Sequence, residues 1–253
     1  MRHKTTRMFE KNIQTYLEKH GFGTFAPKAV LFDMDGVLYD SMPYHAKAWH
    51  DSMHEYGLVM SEEEAYEHEG MRGVETIQKL AKAQGRHDIN EAKAQEIYDY
   101  KSALFAAQGP AHKMEGVEDL MRAIVTDGLL IGIVTGSGQH SLLDHLEQQF
   151  PGLIFKERIV TAYDVTRGKP APMPYLKGLE KCGVRPWEAI VVENAPLGVR
   201  AANAAKIFTV AVNTGPLPDH RLLDEGADLL FRRMTDFRDH WHDLSSHFNH
   251  QRK

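Results

Sequence analysis

Two carboxylates, Asp33 and Asp35, close the apolar run Ala29-Val30-Leu31-Phe32 and are followed at once by Gly36. Side chains alternate along an extended chain, so acids two residues apart project to the same side. Alone, Asp-x-Asp-Gly is an ordinary turn sequence. Three further stretches give it a chemical setting. Ile131 to Gly138 is a strand-like run emptying into a small-residue turn before a helix. There the Thr135 hydroxyl and the exposed amides of Gly136 and Ser137 would cradle an anion such as phosphate. Arg167-Gly168-Lys169-Pro170, with Pro172 beyond, fixes a lysine ahead of a helix. A point charge held there can neutralise a nucleophilic carboxylate and a phosphoryl group in transfer. Ile190-Val191-Val192 ends in an acid and an amide, Glu193 and Asn194, before Ala195-Pro196-Leu197-Gly198. With Asp33 and the Asp35 backbone carbonyl these form the all-oxygen set that Mg²⁺ takes.

The elements that must position these residues are legible from pattern. Lys28 to Met34 reads as a first strand, apolar enough to be buried on both faces. Ser41 to Pro43 starts a helix with Tyr44, Trp49, Met53 and Tyr56 at helical spacing, and from Ser61 to about Ala107 the pattern is helical with no strand signal. Ser61 and Glu64 have the spacing of a capping box, and glycines at 70, 73 and 85 break the helices. After Gly109-Pro110 the grammar changes. Strand-like runs Leu129–Val134, Arg158–Thr161, Ala189–Val192, Phe208–Val212 and Ala227–Phe231 alternate with helical segments. That alternation predicts an α/β protein with a Rossmann-like parallel sheet and right-handed crossovers, into which a helical bundle is inserted after the first strand. The expected division is a helical extension over 1–27, a core over 28–41 and 113–253, and a cap over 42–112. In an open α/β sheet, ligands bind beyond the carboxyl ends of the strands, where all four motifs fall. The histidine-rich tail from His240 reads as a solvated terminal helix.

Together the four motifs resemble the haloacid dehalogenase-like (HAD) superfamily over roughly residues 28–232, and most nearly its β-phosphoglucomutase-like branch, which carries a helical cap at this insertion point. The resemblance implies a HAD fold with Asp33 as nucleophile, forming an aspartyl-phosphate, and Asp35 as general acid/base. It further implies that Thr135 binds the phosphoryl group, Lys169 neutralises charge, and Glu193 with Asn194 serves Mg²⁺. The roles suit the residue types. A carboxylate can accept a phosphoryl group and release it to a second acceptor, and a second acid can protonate the leaving oxygen and then deprotonate water. Dehalogenases of the superfamily lack that second acid, so Asp35 sets dehalogenation aside.

The chain departs from the branch in two places. The usual Glu-Asp pair is Glu193-Asn194, whose amide oxygen coordinates without charge. In the cap loop Glu69-Gly70-Met71-Arg72-Gly73, Arg72 sits about one residue earlier than the phosphate-gripping arginine of the mutases, and an acid precedes the glycine. A bare carboxylate would repel a bound phosphate unless a metal bridges the two or the carboxylate activates water. This loop, with Glu-Asn-Ala-Pro-Leu-Gly, is similar to a bacterial subgroup of inorganic pyrophosphatases. His45 falls where the branch places a hinge histidine. Its spacing with His50 and His54 is metal-like, but phosphoryl transfer with Mg²⁺ has no need of imidazole ligands.

The expected function is therefore Mg²⁺-dependent phosphoryl transfer from pyrophosphate or a small sugar phosphate to water. The alternative is sugar-phosphate mutase action, for which Arg72 would grip the distal phosphate. Glu69, Arg72 and His45 join Thr135, Gly136 and Ser137 as candidate substrate contacts. A phospho-aspartate signalling switch gathers similar residues but on a chain about half as long, and a non-catalytic binding protein is suggested only by Asn194. The net charge of −5 argues against nucleic-acid and acidic-membrane partners. A single cysteine, Cys182, forms no internal disulfide and reads as a small core residue. With no signal-peptide pattern, a cytoplasmic monomer or weak dimer is expected.

Overall fold

The computed structural model describes residues 2–137 and 146–248. Six strands form one sheet: β1 (Ala29–Phe32), β2 (Leu130–Val134), β3 (Ile159–Val160), β4 (Ala189–Glu193), β5 (Phe208–Val212) and β6 (Leu229–Phe231). The spatial order is β3-β2-β1-β4-β5-β6, and every neighbouring pair is parallel. This is the α/β sheet that the strand-like runs imply. Strand β1 is central: the chain runs from it to β2 and β3 on one side, then crosses to β4, β5 and β6 on the other. The order therefore reverses beside β1, which is where an open α/β sheet presents a ligand crevice.

Strands buried on both faces explain the unbroken apolar runs. Alternate residues feed two clusters. Val30, Phe32, Ile131, Ile133, Ile190 and Val192 face one layer, and Ala29, Leu31, Val134, Ala189 and Val191 the other. The first layer is covered by α6 (Val117–Thr126) and α10 (Met234–Ser245), together with α1 (Arg2–His20). The second is covered by α7 (Met173–Cys182) and α8 (Pro196–Ala204), where Cys182 is buried as a core residue.

Between β1 and β2 lie α2 (Met42–Glu55), α3 (Glu62–Glu67), α4 (Gly73–Ala83) and α5 (Glu91–Ala107). They bury an apolar cluster of their own, including Trp49, Met53, Leu58, Ile77 and Ile97. The Ser61 capping box forms, with Ser61 Oγ accepting from the Glu64 amide at 3.1 Å and Glu64 Oε2 from the Ser61 amide at 2.7 Å. The two segments that cross between insert and sheet pair with each other. The Asp40 amide donates to the His112 carbonyl at 2.9 Å, and the Met114 amide to the Leu38 carbonyl at 2.8 Å.

The C-terminal reading needs correction. The last described helix, α10, begins at Met234, not His240, and is not solvated: Phe237, Trp241 and Leu244 are buried, and Trp241 Nε1 donates to Asp127 at 2.8 Å. Histidines 240 and 242 occupy its more accessible positions, which hid the apolar face in sequence. Helix α1 is likewise bound into the core through Phe9, Ile13 and Tyr16, and the Tyr16 hydroxyl donates to the Lys206 carbonyl at 2.9 Å.

Candidate active site

The register Phe32↔Val192 places Asp33 beside Glu193 at the ends of β1 and β4, and Phe32↔Ile133 brings the end of β2 alongside. Asp33, Asp35, Thr135, Lys169, Glu193 and Asn194 are all buried here. Lys169 Nζ lies 2.6 Å from Asp33 Oδ1 and 2.6 Å from Glu193 Oε1. Burial works against its charge, yet the two carboxylates hold Lys169 well above the usual lysine range.

Glu193 uses both oxygens within the protein. Oε1 accepts from Lys169 and from the Tyr175 hydroxyl at 2.6 Å, and Oε2 from the amides of Asn194 at 2.9 Å and Ala195 at 3.2 Å. Gly198 makes this possible, because a Cβ there would lie 1.8 Å from Glu193 Oε1. Gly36 has a second requirement. Its φ of +78° is left-handed, and a Cβ would lie 2.0 Å from Asn194 Nδ2. The glycines of both motifs are thus set by what must pass over them.

Asp35 turns away from Asp33 toward the insert. Its Oδ1 accepts from Ser41 Oγ at 2.6 Å and lies 3.1 Å from His45 Nε2, while His45 Nδ1 is 2.6 Å from Lys101 Nζ. An ammonium can only donate, so Nδ1 accepts and Nε2 carries the proton shared with Asp35. Burial alone would raise the Asp35 pKa, but His45, Ser41 and Lys101 outweigh it and hold the carboxyl below the usual range. Burial and Lys101 push His45 down, and burial brings Lys101 to about 8. His45 also stacks on Phe105 at 4.0 Å.

The loop of the insert sits directly on the core. A Cβ on Gly70 would lie 2.6 Å from Lys169 Cδ, one on Gly136 would lie 3.1 Å from the Gly70 carbonyl, and one on Gly168 would lie 3.0 Å from Arg72 Cγ. Beneath it is a cleft of about 440 Å³, including its open mouth, lined by Asp35, His45, Glu69, Lys101, Gly136 and Ser137 among others. Burial, with Asp35 adding to it, lifts Glu69 to about 7 against the pull of Lys101 and Lys169. Burial likewise holds Asp33 well above the usual carboxylate range: Lys169 opposes this, while Glu193 and Glu69 reinforce it.

Arg72 is not brought into that cleft. It is exposed, pairs with Glu75 at 3.7 Å, and borders a neighbouring crevice with Thr135, Gly136 and Lys169. Thr135 Oγ1 accepts from the Ser137 amide at 3.0 Å. The helix expected after Gly138 lies outside the described residues up to position 145, and His50 and His54 lie on the outer face of α2, away from the cluster.

Sequence reasoning missed Lys101 and Tyr175. The signal for Lys101 was present, since Ala94, Ile97, Lys101 and Phe105 form the buried face of α5. Tyr175 gave none, because its hydroxyl is called into the site by Glu193, which lies 18 residues away.

Carboxylates and a buried lysine gathered at the switch point of a parallel sheet, beneath a helical insert, define a phosphoryl-transfer type of hydrolase. The chain matches the model of the haloacid dehalogenase-like hydrolases over residues 30–212 and belongs to that family. It is 31% identical to Hexitol phosphatase A of Escherichia coli over 186 residues, 74% of this chain and 83% of that protein. It is 26% identical to Pyrophosphatase PpaX of Oceanobacillus iheyensis over 186 residues, 73% of this chain and 83% of that one. Among solved structures, a candidate beta-phosphoglucomutase from Bacteroides vulgatus is 48% identical, superposes with a TM-score of 0.93, and spans 96% of this chain and 99% of its own. The chain is accordingly a HAD-type phosphatase or phosphotransferase.

Proposed function

We propose that this protein is a Mg²⁺-dependent phosphohydrolase that passes a phosphoryl group from pyrophosphate, or from a small sugar phosphate, through Asp33 to water. One observation carries the choice of hydrolase. The loop of the insert presents a carboxylate, Glu69, to the cleft, while its arginine, Arg72, is exposed, pairs with Glu75 and borders the neighbouring crevice instead. A substrate that arrives with its charge offset by a metal suits such a loop, whereas a mutase must hold the distal phosphate of a bisphosphate while it turns over.

The residues fit Mg²⁺. Asp33 Oδ2 and Asn194 Oδ1 are buried oxygens with no hydrogen-bond partner among the described residues. Four carboxyls (Asp33, Asp35, Glu69 and Glu193) share two lysines (Lys101 and Lys169), a deficit that one divalent cation would fill. Hard oxygen donors of this kind select Mg²⁺ over softer metals. Asp33, Asn194 and the Asp35 carbonyl would hold it, with Glu69 across the cleft, and it would cancel the repulsion between nucleophile and phosphoryl group. Glu193, expected among the ligands, also fixes Lys169 and the Asn194 backbone.

In this reading Asp33 attacks phosphorus as the bond to the leaving oxygen breaks, and Asp35 relays to that oxygen the proton it shares with His45 Nε2. Water then attacks the aspartyl-phosphate, Asp35 takes its proton, and phosphate leaves with Asp33 restored. Lys169 neutralises Asp33 in the resting state and the transferring group during reaction.

Mutase action remains the second reading, supported by the 48% identity to the Bacteroides vulgatus protein. A phosphate-release screen separates the two, using pyrophosphate, hexitol phosphates and β-glucose 1-phosphate with trace bisphosphate, each with and without Mg²⁺. Metal-dependent phosphate release is expected. Accumulation of glucose 6-phosphate without phosphate release would instead establish the mutase.

A further inference from the structure

The insert touches the core at a second place, away from the Glu69–Gly70 loop. Tyr66, near the end of α3, lies over Gly215 in the loop that follows β5. A Cβ on Gly215 would lie 2.8 Å from Tyr66 Cδ1 and 3.0 Å from Cε1, so ring and backbone are in direct contact. One residue along α3, Glu67 forms an ion pair with Arg221 of α9 (His220–Leu223), on the same side of the core. The receiving loop is tied to the catalytic motif. The Thr214 hydroxyl donates to the Gly36 carbonyl at 2.7 Å, one residue from Asp35, and Asn213 Nδ2 donates to the Leu217 carbonyl at 2.8 Å, which fixes the turn.

The geometry points to Tyr66 and Gly215 as positioning residues for the reaction. Their contact sets how far the insert descends, and so where the Glu69–Gly70 loop comes to rest above Asp33 and Lys169. Glu69 is only three residues beyond Tyr66 and Gly70 only four, so a displacement at Tyr66 carries directly into the loop. Gly70 already lies in close contact with the Lys169 side chain, and Gly136 with the Gly70 backbone, leaving no slack there. The Glu67–Arg221 pair is exposed, and pairs of that kind contribute little. The ring on the glycine is the stop that sets the distance. A side chain at 215 would prop the insert up, and removing the ring would leave its height unset. Misplacement by an ångström at a reacting centre costs up to ~10²-fold in rate.

This inference rests on Asp33 being the reacting carboxylate beneath the loop, and its test is independent of that assignment. Gly215→Ala, Tyr66→Ala and the double variant would be compared for Mg²⁺-dependent phosphate release from pyrophosphate, together with hydrogen exchange at the amides of Glu69 to Gly73. Gly215→Ala is expected to lower kcat at least ~10-fold with a smaller change in KM, and to speed loop exchange. In the Tyr66→Ala background the same change should cost almost nothing, since the ring it collides with is gone. Tyr66→Phe, which keeps the ring, should match the parent in both readouts. Additive losses in the double variant, or parent-like loop exchange in both Gly215→Ala and Tyr66→Ala, would overturn the inference. Should Gly215→Ala fail to fold, the Tyr66→Ala and Tyr66→Phe pair decides it through exchange alone. An inactive Asp33→Asn protein alongside a silent Tyr66→Ala would sink only this inference, whereas an active Asp33→Asn protein would sink the assignment of the nucleophile.

Discussion

Asp33 and Asp35 are the same residue type two positions apart, and their surroundings drive them in opposite directions. Asp33 shares Lys169 with Glu193 and is held above the usual carboxylate range by burial, whereas Asp35 is held below it by His45, Ser41 and Lys101. Placement divides the proposed roles: Asp33 lies against Lys169, whereas Asp35 is turned onto Ser41 and His45, partners through which a proton can pass. Replacing Asp35 with Asn should therefore lower kcat by at least ~10² through loss of proton transfer, with the fold intact. Parent-like turnover in that variant would remove Asp35 from the chemistry. Asn194 supplies an uncharged oxygen that has no partner among the described residues. An Asn194→Asp variant should bind Mg²⁺ more tightly, since ligand charge sets affinity at such sites, and a titration of activity against Mg²⁺ checks this. An unchanged half-saturation point would place Asn194 outside the metal's reach. Asp33, Thr135, Glu193 and Asn194 were legible in sequence because each stands at the end of a strand, and Lys169 because glycine and proline flank it ahead of α7. That Glu193 spends both oxygens on Lys169, Tyr175 and two amides was not, because those partners converge only once α7 packs on the sheet.

The elements were read where their pattern is strong and misread where polar residues hide one face. Strands β1, β2, β4 and β5 are buried on both faces apart from the first residue of β2, and they appear as apolar runs. Helix α10 alternates histidines and acids with Phe237, Trp241 and Leu244, so its composition reads as solvated although its spacing does not. Helix α5 shows the converse. A lysine in a buried stripe reads as an interruption until Asp35 and His45 reveal what it serves. Lys101→Met should keep that stripe packed while removing the donor to His45, so kcat should fall with little change in melting temperature. A parent-like kcat would make Lys101 structural only. Between β5 and β6, Asp228 Oδ2 accepts from the Thr209 amide at 2.8 Å, and burial raises its pKa from 3.8 to about 6. A raised carboxyl pKa means that the protonated form fits the fold better. Its favourable contribution is therefore fully present below 3.8 and is lost as pH rises through about 6. Asp228→Asn, which mimics the neutral form and keeps an acceptor, should melt higher than the parent above that pH, with the gap closing in acid. A gap independent of pH would contradict this.

At the scale of the molecule, one sheet supplies the chemistry and the helical insert, crossing twice beside it, supplies the roof. The two crossing segments are hydrogen-bonded to each other where the chain passes between sheet and insert. Helix α1 reads in sequence as an appendage, yet it covers Phe25 and Phe208 through Tyr16 at ring distances of 5.7 and 5.4 Å. Removing residues 2–20 strips three buried side chains, each contributing roughly 1.5–3 kcal/mol. The shortened chain should melt at least ~10 °C lower, and an unchanged melting temperature would make α1 dispensable. What ties sheet, insert and charge pattern together in this account is the proposed transfer of a phosphoryl group to Asp33. The most direct test quenches the enzyme in acid during turnover of pyrophosphate with Mg²⁺, reduces the acyl-phosphate with tritiated borohydride, and maps the label by peptide sequencing. Label confined to Asp33, and absent from an inactive Asp33→Asn protein, is the expected result. Label on another residue, or continued turnover by Asp33→Asn, would contradict the account.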